Sequence, residues 1–198
     1  MASPTDIANR ALQKLGSSRI MSIDDMARNA QEARGCYEIL RDAELRRHPW
    51  SFAMRRIALA AQDAPPVWGA AFAYPLPADF LRLVEIEGSH AWDARGYRGD
   101  AGAAWRIEGG KILTDASAPL NIRYVGREED SARFDACFVE VLACRMAAEM
   151  AEALTQSAQK RQLAIGEYRD AVVQARRLNA IETAPEVAPD DSWVMGRL

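Results

Sequence analysis

The segment Arg46–Arg56, RRHPWSFAMRR, decides how this chain is organised. It closes a long amphipathic stretch and then places Pro49 and Trp50 where a helix cannot continue, because the residue before a proline is pushed out of the α region. Two pairs of arginines bracket the aromatic residues Trp50 and Phe52. The segment therefore predicts a junction between a helical and a β-rich part. It is compatible with a hinge, a nucleic-acid patch or an assembly element.

Two helices are predicted before this junction. The first begins at Ser3 or Thr5 and ends at Gly16. The second runs from about Met26 to His48, with Asp24-Asp25 supplying its cap. Its apolar stripe is predicted to contain Ala30, Ala33, Tyr37, Leu40, Ala43 and Arg47, widened by Cys36 and Ile39.

After the junction, short alternating segments and turn residues predict strands. Phe80–Ile86 and Leu120–Val125 alternate in polarity, and Trp105–Glu108 and Lys111–Thr114 flank the turn Gly109-Gly110. These segments predict one small antiparallel sheet of about four strands.

Two further helices are predicted after the sheet, from Ser131 or Asp135 to Leu154 and from Ala158 to Ile181. Apolar residues cover most of the third helix, which predicts burial against both earlier helices or against another subunit. These residues are Phe134, Cys137, Phe138, Val141, Leu142, Met146, Met150 and Leu154.

The predicted fold class is α+β. A four-helix bundle-like core (residues 1–50 and 126–182) carries an inserted small antiparallel β domain (51–125) and an extended C-terminal tail (183–198). The tail ends with Trp193, Val194, Met195 and Leu198, apolar residues that have no local core. Exposed apolar clusters generally mark a docking site, so the tail is predicted to bind another protein.

Composition narrows the function classes. A net charge of -3 argues against a general binder of DNA or anionic membranes. The N-terminus lacks the apolar region of a signal peptide, and no apolar run reaches the length of a membrane span, which predicts assembly in the cytoplasm. Three cysteines do not form a disulfide framework. No catalytic constellation, metal site or cofactor motif emerges, so the chain is predicted not to be an enzyme.

Two clusters mix arginine with aromatic residues, a composition that suits both base stacking and protein interfaces. The net charge favours protein contacts over nucleic acid. The first cluster comprises Arg46, Arg47, Trp50, Phe52, Arg55 and Arg56. The second, in the predicted sheet loop, comprises Trp92, Arg95, Tyr97, Arg98, Trp105 and Arg106.

The order and spacing of several motifs resemble the tail tubular protein A family of short-tailed bacteriophages, also called head-to-tail adaptors or connectors. The resemblance covers most of the chain. The matching segments are Trp50-Ser51-Phe52, Leu76-Pro77-Ala78-Asp79-Phe80-Leu81, Leu120–Val125 and Ala143–Leu154.

The resemblance implies a virion protein of the tail or neck, assembled in the host cytoplasm. It implies self-association into a ring, commonly of twelve subunits, between the portal protein and the tail nozzle or tail tube protein. Genomic DNA would pass through the ring without specific binding. The C-terminal segment would reach the portal, and the β domain, with the loop Trp92, Arg95, Tyr97 and Arg98, would face the tail. Pro49, Trp50 and Phe52 are then expected to fix the β domain against the helices.

Three alternatives stay open. A DNA-binding regulator would use the arginine and aromatic clusters, and would bind duplex with an affinity that falls steeply with salt. A small enzyme would require a pocket with perturbed titratable groups. A cellular copy of the same fold, in a domesticated prophage or gene-transfer particle, would share every feature described above.

Overall fold

A computed structural model describes residues 2–87, 89–90 and 105–182 of the chain. This part confirms the α+β class. It contains four helices, α1 Pro4–Leu15, α2 Arg28–Arg47, α3 Ala136–Thr155 and α4 Ala158–Ile181. It also contains seven strands, β1 Met54–Leu59, β2 Phe72–Pro75, β3 Phe80–Ile86, β4 Ser89–His90, β5 Trp105–Glu108, β6 Lys111–Thr114 and β7 Leu120–Gly126.

Helix α2 begins differently from the prediction. Its N-cap is Ala27, which makes no side-chain capping bond, so the expected cap at Asp24-Asp25 is wrong. The Asp25 carboxylate instead accepts hydrogen bonds from the backbone N–H groups of Met21 and Ser22, at 3.1 and 2.9 Å. It therefore closes the turn that precedes the helix.

The buried stripe of α2 also departs from the prediction. Ala43 and Ile39 are exposed, whereas Arg41, Glu44 and Leu45 are buried. With 3.6 residues per turn, the face that starts at Ala30 passes through position 44, and Ile39 lies half a turn away from it. The buried face of α2 consequently becomes polar towards its C-terminal end.

Helix α3 is the centre of the helical layer. It packs against α1, α2 and α4, and its large apolar residues Phe138, Leu142 and Met146 are fully buried. The breadth of its apolar surface is therefore explained by helices of the same chain. It gives no separate indication of a neighbouring subunit.

The strands form two antiparallel sheets, which corrects the prediction of one sheet. The orders are β1-β7-β3-β4 and β2-β6-β5. Strand β2 was missed because it ends in Pro75, which lacks an N–H; proline is tolerated there because β2 lies at a sheet edge. Residues including Leu59, Tyr74, Ile112 and Ile122 form an apolar core in the strand region.

The first sheet is attached to the helices through its own apolar residues. Leu81 of β3 and Val125 of β7 belong to the same buried cluster as Trp50 and Phe138. Within the described part of the chain, no helix has the length and apolarity needed to cross a bilayer.

Candidate functional site at the junction of helices and sheet

The segment that follows α2 makes a sharp change of direction. The helix ends at Arg47, His48 and Trp50 have extended backbone, and a short 3-10 turn over Ser51–Ala53 leads into β1. The Trp50 side chain is buried, and its Nε1–H donates a hydrogen bond of 3.0 Å to the carbonyl oxygen of Glu44. This bond satisfies one of the carbonyl groups that a helix leaves unpaired in its last turn.

Four aromatic rings pack together beneath the junction. The ring centroids of Trp50 and Phe138 lie 5.2 Å apart, and those of Phe52 and Phe138 lie 5.1 Å apart. Phe134 is 5.0 Å from Phe138 and 5.7 Å from Phe52. The structure thus brings Trp50 and Phe52 together and places both against residues in and just before α3.

Two arginines connect the end of α2 with β3. The guanidinium of Arg46 donates a hydrogen bond to the carbonyl oxygen of Leu81. In the opposite direction, Arg82 Nη1 donates to the carbonyl oxygen of Arg47 at 3.3 Å. Each of the two elements therefore supplies an arginine side chain that donates a hydrogen bond to a backbone carbonyl oxygen of the other.

A polar group that we call the junction cluster lies next to Trp50 and consists of Glu44, Arg47, Arg145 and Tyr168. The Tyr168 hydroxyl donates a hydrogen bond of 2.7 Å to Glu44 Oε1 and accepts one from Arg47. Arg47 Nη1 and Arg145 Nε lie 3.5 and 4.0 Å from the same carboxylate oxygen. The guanidinium carbon of Arg145 is 5.4 Å from the centre of the Tyr168 ring, which suits a cation–π contact.

The junction cluster keeps its tyrosine protonated. Burial, followed by the hydrogen bond to Glu44 and the charge of that carboxylate, raises the pKa of Tyr168 to about 12. The hydroxyl therefore remains a donor to a carboxylate that is itself buried between helices α2, α3 and α4. This arrangement supplies a buried charge with partners, which such a charge requires.

A second polar group, the Asp79 cluster, joins β1, β7 and the turn before β3. Asp79 forms an ion pair with Arg55 and accepts a hydrogen bond of 3.1 Å from the Tyr124 hydroxyl. Arg55 Nη2 also donates to the carbonyl oxygen of Arg127 at 3.0 Å. A Cβ atom at Gly126 would lie 2.6 Å from Arg55 Cδ and 2.8 Å from Asp79 Oδ2, so only glycine fits there without displacing the pair.

The end of α4 contacts the junction from the other side. The side-chain oxygen of Asn179 accepts a hydrogen bond of 3.0 Å from the Ser51 backbone N–H. Its Nδ2 donates to the Pro49 carbonyl oxygen at 3.3 Å and lies 3.0 Å from His48 Nε2. Burial, with smaller effects from two nearby arginines, lowers the pKa of His48, which favours the neutral ring as the acceptor.

Of the four arginines in the junction segment, Arg46, Arg47 and Arg55 make the contacts above. Arg56 is exposed on β1, and its side chain forms no hydrogen bond or ion pair with another described residue. It lines a shallow groove of about 410 Å³ on the outer sheet face, where Arg123 Nη2 lies 2.8 Å from Glu85 Oε2. The first arginine and aromatic cluster therefore leaves one arginine unpaired within the described residues.

Two groups of predicted site residues lie outside the described residues. They are the tail-facing loop residues Trp92, Arg95, Tyr97 and Arg98, and the portal-docking residues Trp193, Val194, Met195 and Leu198. From the second arginine and aromatic cluster, Trp105 is half-buried in β5, and Arg106 Nη1 lies 3.8 Å from Glu108 Oε1.

The three cysteines are free thiols. Burial raises the pKa of Cys36 to about 11, and it also raises the pKa of Cys137 and Cys144. Such thiols carry little of the nucleophilic thiolate at neutral pH. Over residues 2–87, 89–90 and 105–182, no group of three or more His, Cys, Asp or Glu side chains could hold a metal ion.

Large apolar side chains are exposed on the outer faces of two helices and on one loop. They lie on α2 and α4 and in the segment between β1 and β2. They are Ile39, Leu163, Val173, Leu178, Ile181, Val67 and Trp68; before α2 and on β1 and β5, Met21, Met26, Ile57 and Ile107 are also exposed.

The sequence analysis did not identify four residues that make the polar contacts at the junction. They are Glu44, Asp79, Tyr168 and Asn179. Glu44 was detectable, since a strict 3.6-residue spacing from Ala30 places it on the buried face of α2. Asp79 and Asn179 carry no comparable signal, because their partners are 24 or more residues away in sequence. Searches against protein-family models and against curated proteins find no match to this chain.

Proposed function

We propose that this chain is a structural virion protein: a head-to-tail adaptor that forms a ring between the portal and the tail nozzle and surrounds the DNA channel. The observation that carries the proposal is the exposure of four large apolar side chains on α4, with a single one, Ile39, on α2. In a ring, each subunit presents two different faces to its neighbours, and apolar helix faces suit such contacts. The motif order that resembles the tail tubular protein A family supports the same function.

The electrostatics of the chain are compatible with a channel. A protein with a net charge of -3 gives DNA little overall attraction, so the genome would slide past it. Arg46, Arg47 and Arg55 bond within the chain, which gives less support to a duplex-binding regulator. That alternative predicts duplex binding that weakens steeply with salt, whereas the adaptor predicts little binding at any salt concentration.

The decisive experiment is a mass measurement of the purified chain, alone and after mixing with a portal ring. We expect a defined ring of subunits, with twelve as the expected number, to form on the portal. Native mass spectrometry or light scattering will give the stoichiometry of this ring. No association with a portal protein encoded beside the chain would contradict the proposal.

Portal docking is assigned to the C-terminal tail under the same proposal. Deletion of Asp190–Leu198 is expected to abolish capture of the chain by immobilised portal rings while its circular dichroism and melting temperature stay unchanged. A matched variant, Val67→Ser, removes an exposed apolar side chain from the segment between β1 and β2, outside the helix surfaces assigned to ring contacts, and should retain capture. Unchanged capture of the truncated chain would refute the assignment of docking to the tail.

A further inference from the structure

A third polar site lies nearer the middle of α2, in a cleft of about 640 Å³ between α1, α2 and the segment after β7. We call it the α2 cleft. Its inner residues are Tyr37, Arg41, Asp42 and Arg127.

Within the cleft, one carboxylate balances two guanidinium groups. Asp42 Oδ1 lies 2.9 Å from Arg41 Nε, and Asp42 Oδ2 lies 2.7 Å from Arg127 Nε. Both arginines use only their Nε atoms, and their terminal amino groups make no hydrogen bond to another described residue. The inner site therefore has one positive charge in excess and two pairs of terminal amino groups that bond to no other described residue.

Burial makes these unused donors significant. The Arg41 side chain is only 7% exposed, so its charge has little access to water. Beside it, the hydroxyl oxygen of Tyr37 is buried and has no hydrogen-bond partner among the described residues. Native proteins rarely leave buried polar atoms unpaired, so the Tyr37 hydroxyl calls for a further partner in the cleft, which the terminal amino groups of Arg41 also face.

The charges at the rim restrict the ligand. Asp24, Glu38 and Glu129 line the cleft opening together with Arg34, so the rim is acidic overall. This rim repels any anion, but it repels a doubly charged phosphate more strongly than a carboxylate, which carries one negative charge. The planar N–H pair of a guanidinium also matches the two oxygens of a carboxylate.

We propose that the α2 cleft binds one carboxylate group, held by the terminal amino groups of Arg41 and Arg127. The carboxylate is of the kind that an acidic side chain or a chain terminus of another protein presents. Binding at this site does not depend on the adaptor function.

The test uses sodium acetate as the probe and the full chain. Acetate replaces chloride at constant ionic strength, and the Nε–H signals of the arginines are followed by NMR. We expect the Arg41 and Arg127 signals to shift and to saturate. The Arg127→Gln variant, which changes a side chain that is 40% exposed, should keep the fold and bind acetate about tenfold more weakly.

The matched control is Arg161→Gln, which removes an exposed arginine of α4 that pairs with Glu152. It should bind acetate like the unchanged chain. Shifts that do not saturate, or equal acetate affinity in the Arg127→Gln variant, would overturn the site. Tighter binding of inorganic phosphate than of acetate under the same conditions would overturn the assignment to a carboxylate.

Discussion

Helix α2 carries two polar sites that differ in whether the tyrosine hydroxyl of the site has hydrogen-bond partners among the described residues. At its C-terminal end, in the junction cluster, Tyr168 accepts a hydrogen bond from Arg47 and donates one to Glu44. In the α2 cleft, nearer the middle of the helix, Asp42 engages only the Nε atoms of Arg41 and Arg127. Arg47, whose side chain is 49% exposed, therefore bonds within the fold, whereas the terminal amino groups of Arg41, whose side chain is 7% exposed, make no hydrogen bond to another described residue.

The two tyrosines make this comparison directly. Tyr168 is 7% exposed and Tyr37 is 5% exposed, so both hydroxyls are equally removed from water. The Tyr168 hydroxyl has two polar partners, whereas the Tyr37 hydroxyl has none among the described residues. The difference predicts opposite responses of the two sites to substitution.

The largest effect is expected at the junction, from Trp50→Ala. This change removes the buried indole from the cluster with Phe52 and Phe138, and it leaves the Glu44 carbonyl without its donor. Removing a large buried aromatic residue typically costs about 3–5 kcal/mol. Urea unfolding followed by circular dichroism will measure the loss. A matched change at the exposed Trp68, Trp68→Ala, should cost less than about 0.5 kcal/mol.

Gly126→Ala tests the residue that connects the Asp79 cluster with Arg127 of the α2 cleft. The added methyl group would lie within 2.8 Å of both Arg55 and Asp79, so the ion pair must separate. We expect a loss of about 2–3 kcal/mol in the free energy of unfolding. In an Arg55→Ala background the methyl group has more room, and the cost should fall. An equal cost in both backgrounds would show that the pair is not the cause.

Tyr168→Phe and Tyr37→Phe compare the two sites with the same chemical change. Loss of the Tyr168 hydroxyl removes a hydrogen bond to a buried carboxylate, which we expect to cost about 2 kcal/mol. Loss of the unpartnered Tyr37 hydroxyl should leave stability unchanged or raise it. Equal losses in parallel urea titrations would contradict the proposed difference between the sites.

The pH dependence of the free energy of unfolding tests the contribution of Tyr168 separately. The pKa of Tyr168 is about 12 in the folded chain and about 10 when unfolded, so folding holds its proton more tightly. Its contribution is complete below pH 10 and is lost as the pH rises towards 12. At pH 11 the unchanged chain should have lost about 1.4 kcal/mol more than the Tyr168→Phe variant, relative to pH 9. Urea midpoints at both pH values will measure this difference, and identical losses would contradict it.

Local sequence signals predicted most helices and strands, whereas the polar sites depend on residues that are far apart in sequence. The first helix was predicted from Ser3 or Thr5 to Gly16 because its capping signals are local, and the structure has the N-cap at Ser3 and the C-cap at Gly16. The β5–β6 hairpin followed from Gly109-Gly110, which adopt φ angles of 55° and 74°. The predicted cap of α2 was wrong, because Asp25 accepts a hydrogen bond from a residue that precedes it in sequence. The second sheet was missed, because Pro75 argued against a strand at the position of the edge strand β2.

The candidate site was less accessible from sequence than the fold. Proline at position 49 and the aromatic residues beside it correctly indicated where the chain changes direction. The sequence did not reveal that Arg46, Arg47 and Arg55 bond within the chain, since each partner is brought near only by folding. The same limit hid the α2 cleft, where Arg127 lies 85 positions after Asp42.

The smallest expected effect has the opposite sign and lies at Gly35, an exposed position of α2. A Cβ atom at this position meets nothing within 4 Å, so an added methyl group has open space. Because alanine restricts the unfolded chain and favours helix, Gly35→Ala should stabilise the protein by about 0.5–1 kcal/mol. Thermal unfolding will measure the gain in stability. The affinity of the α2 cleft for acetate should be the same in this variant as in the unchanged chain. A loss of stability would mean that the outer face of α2 is covered by another subunit in solution, and dilution of the sample would then remove that loss.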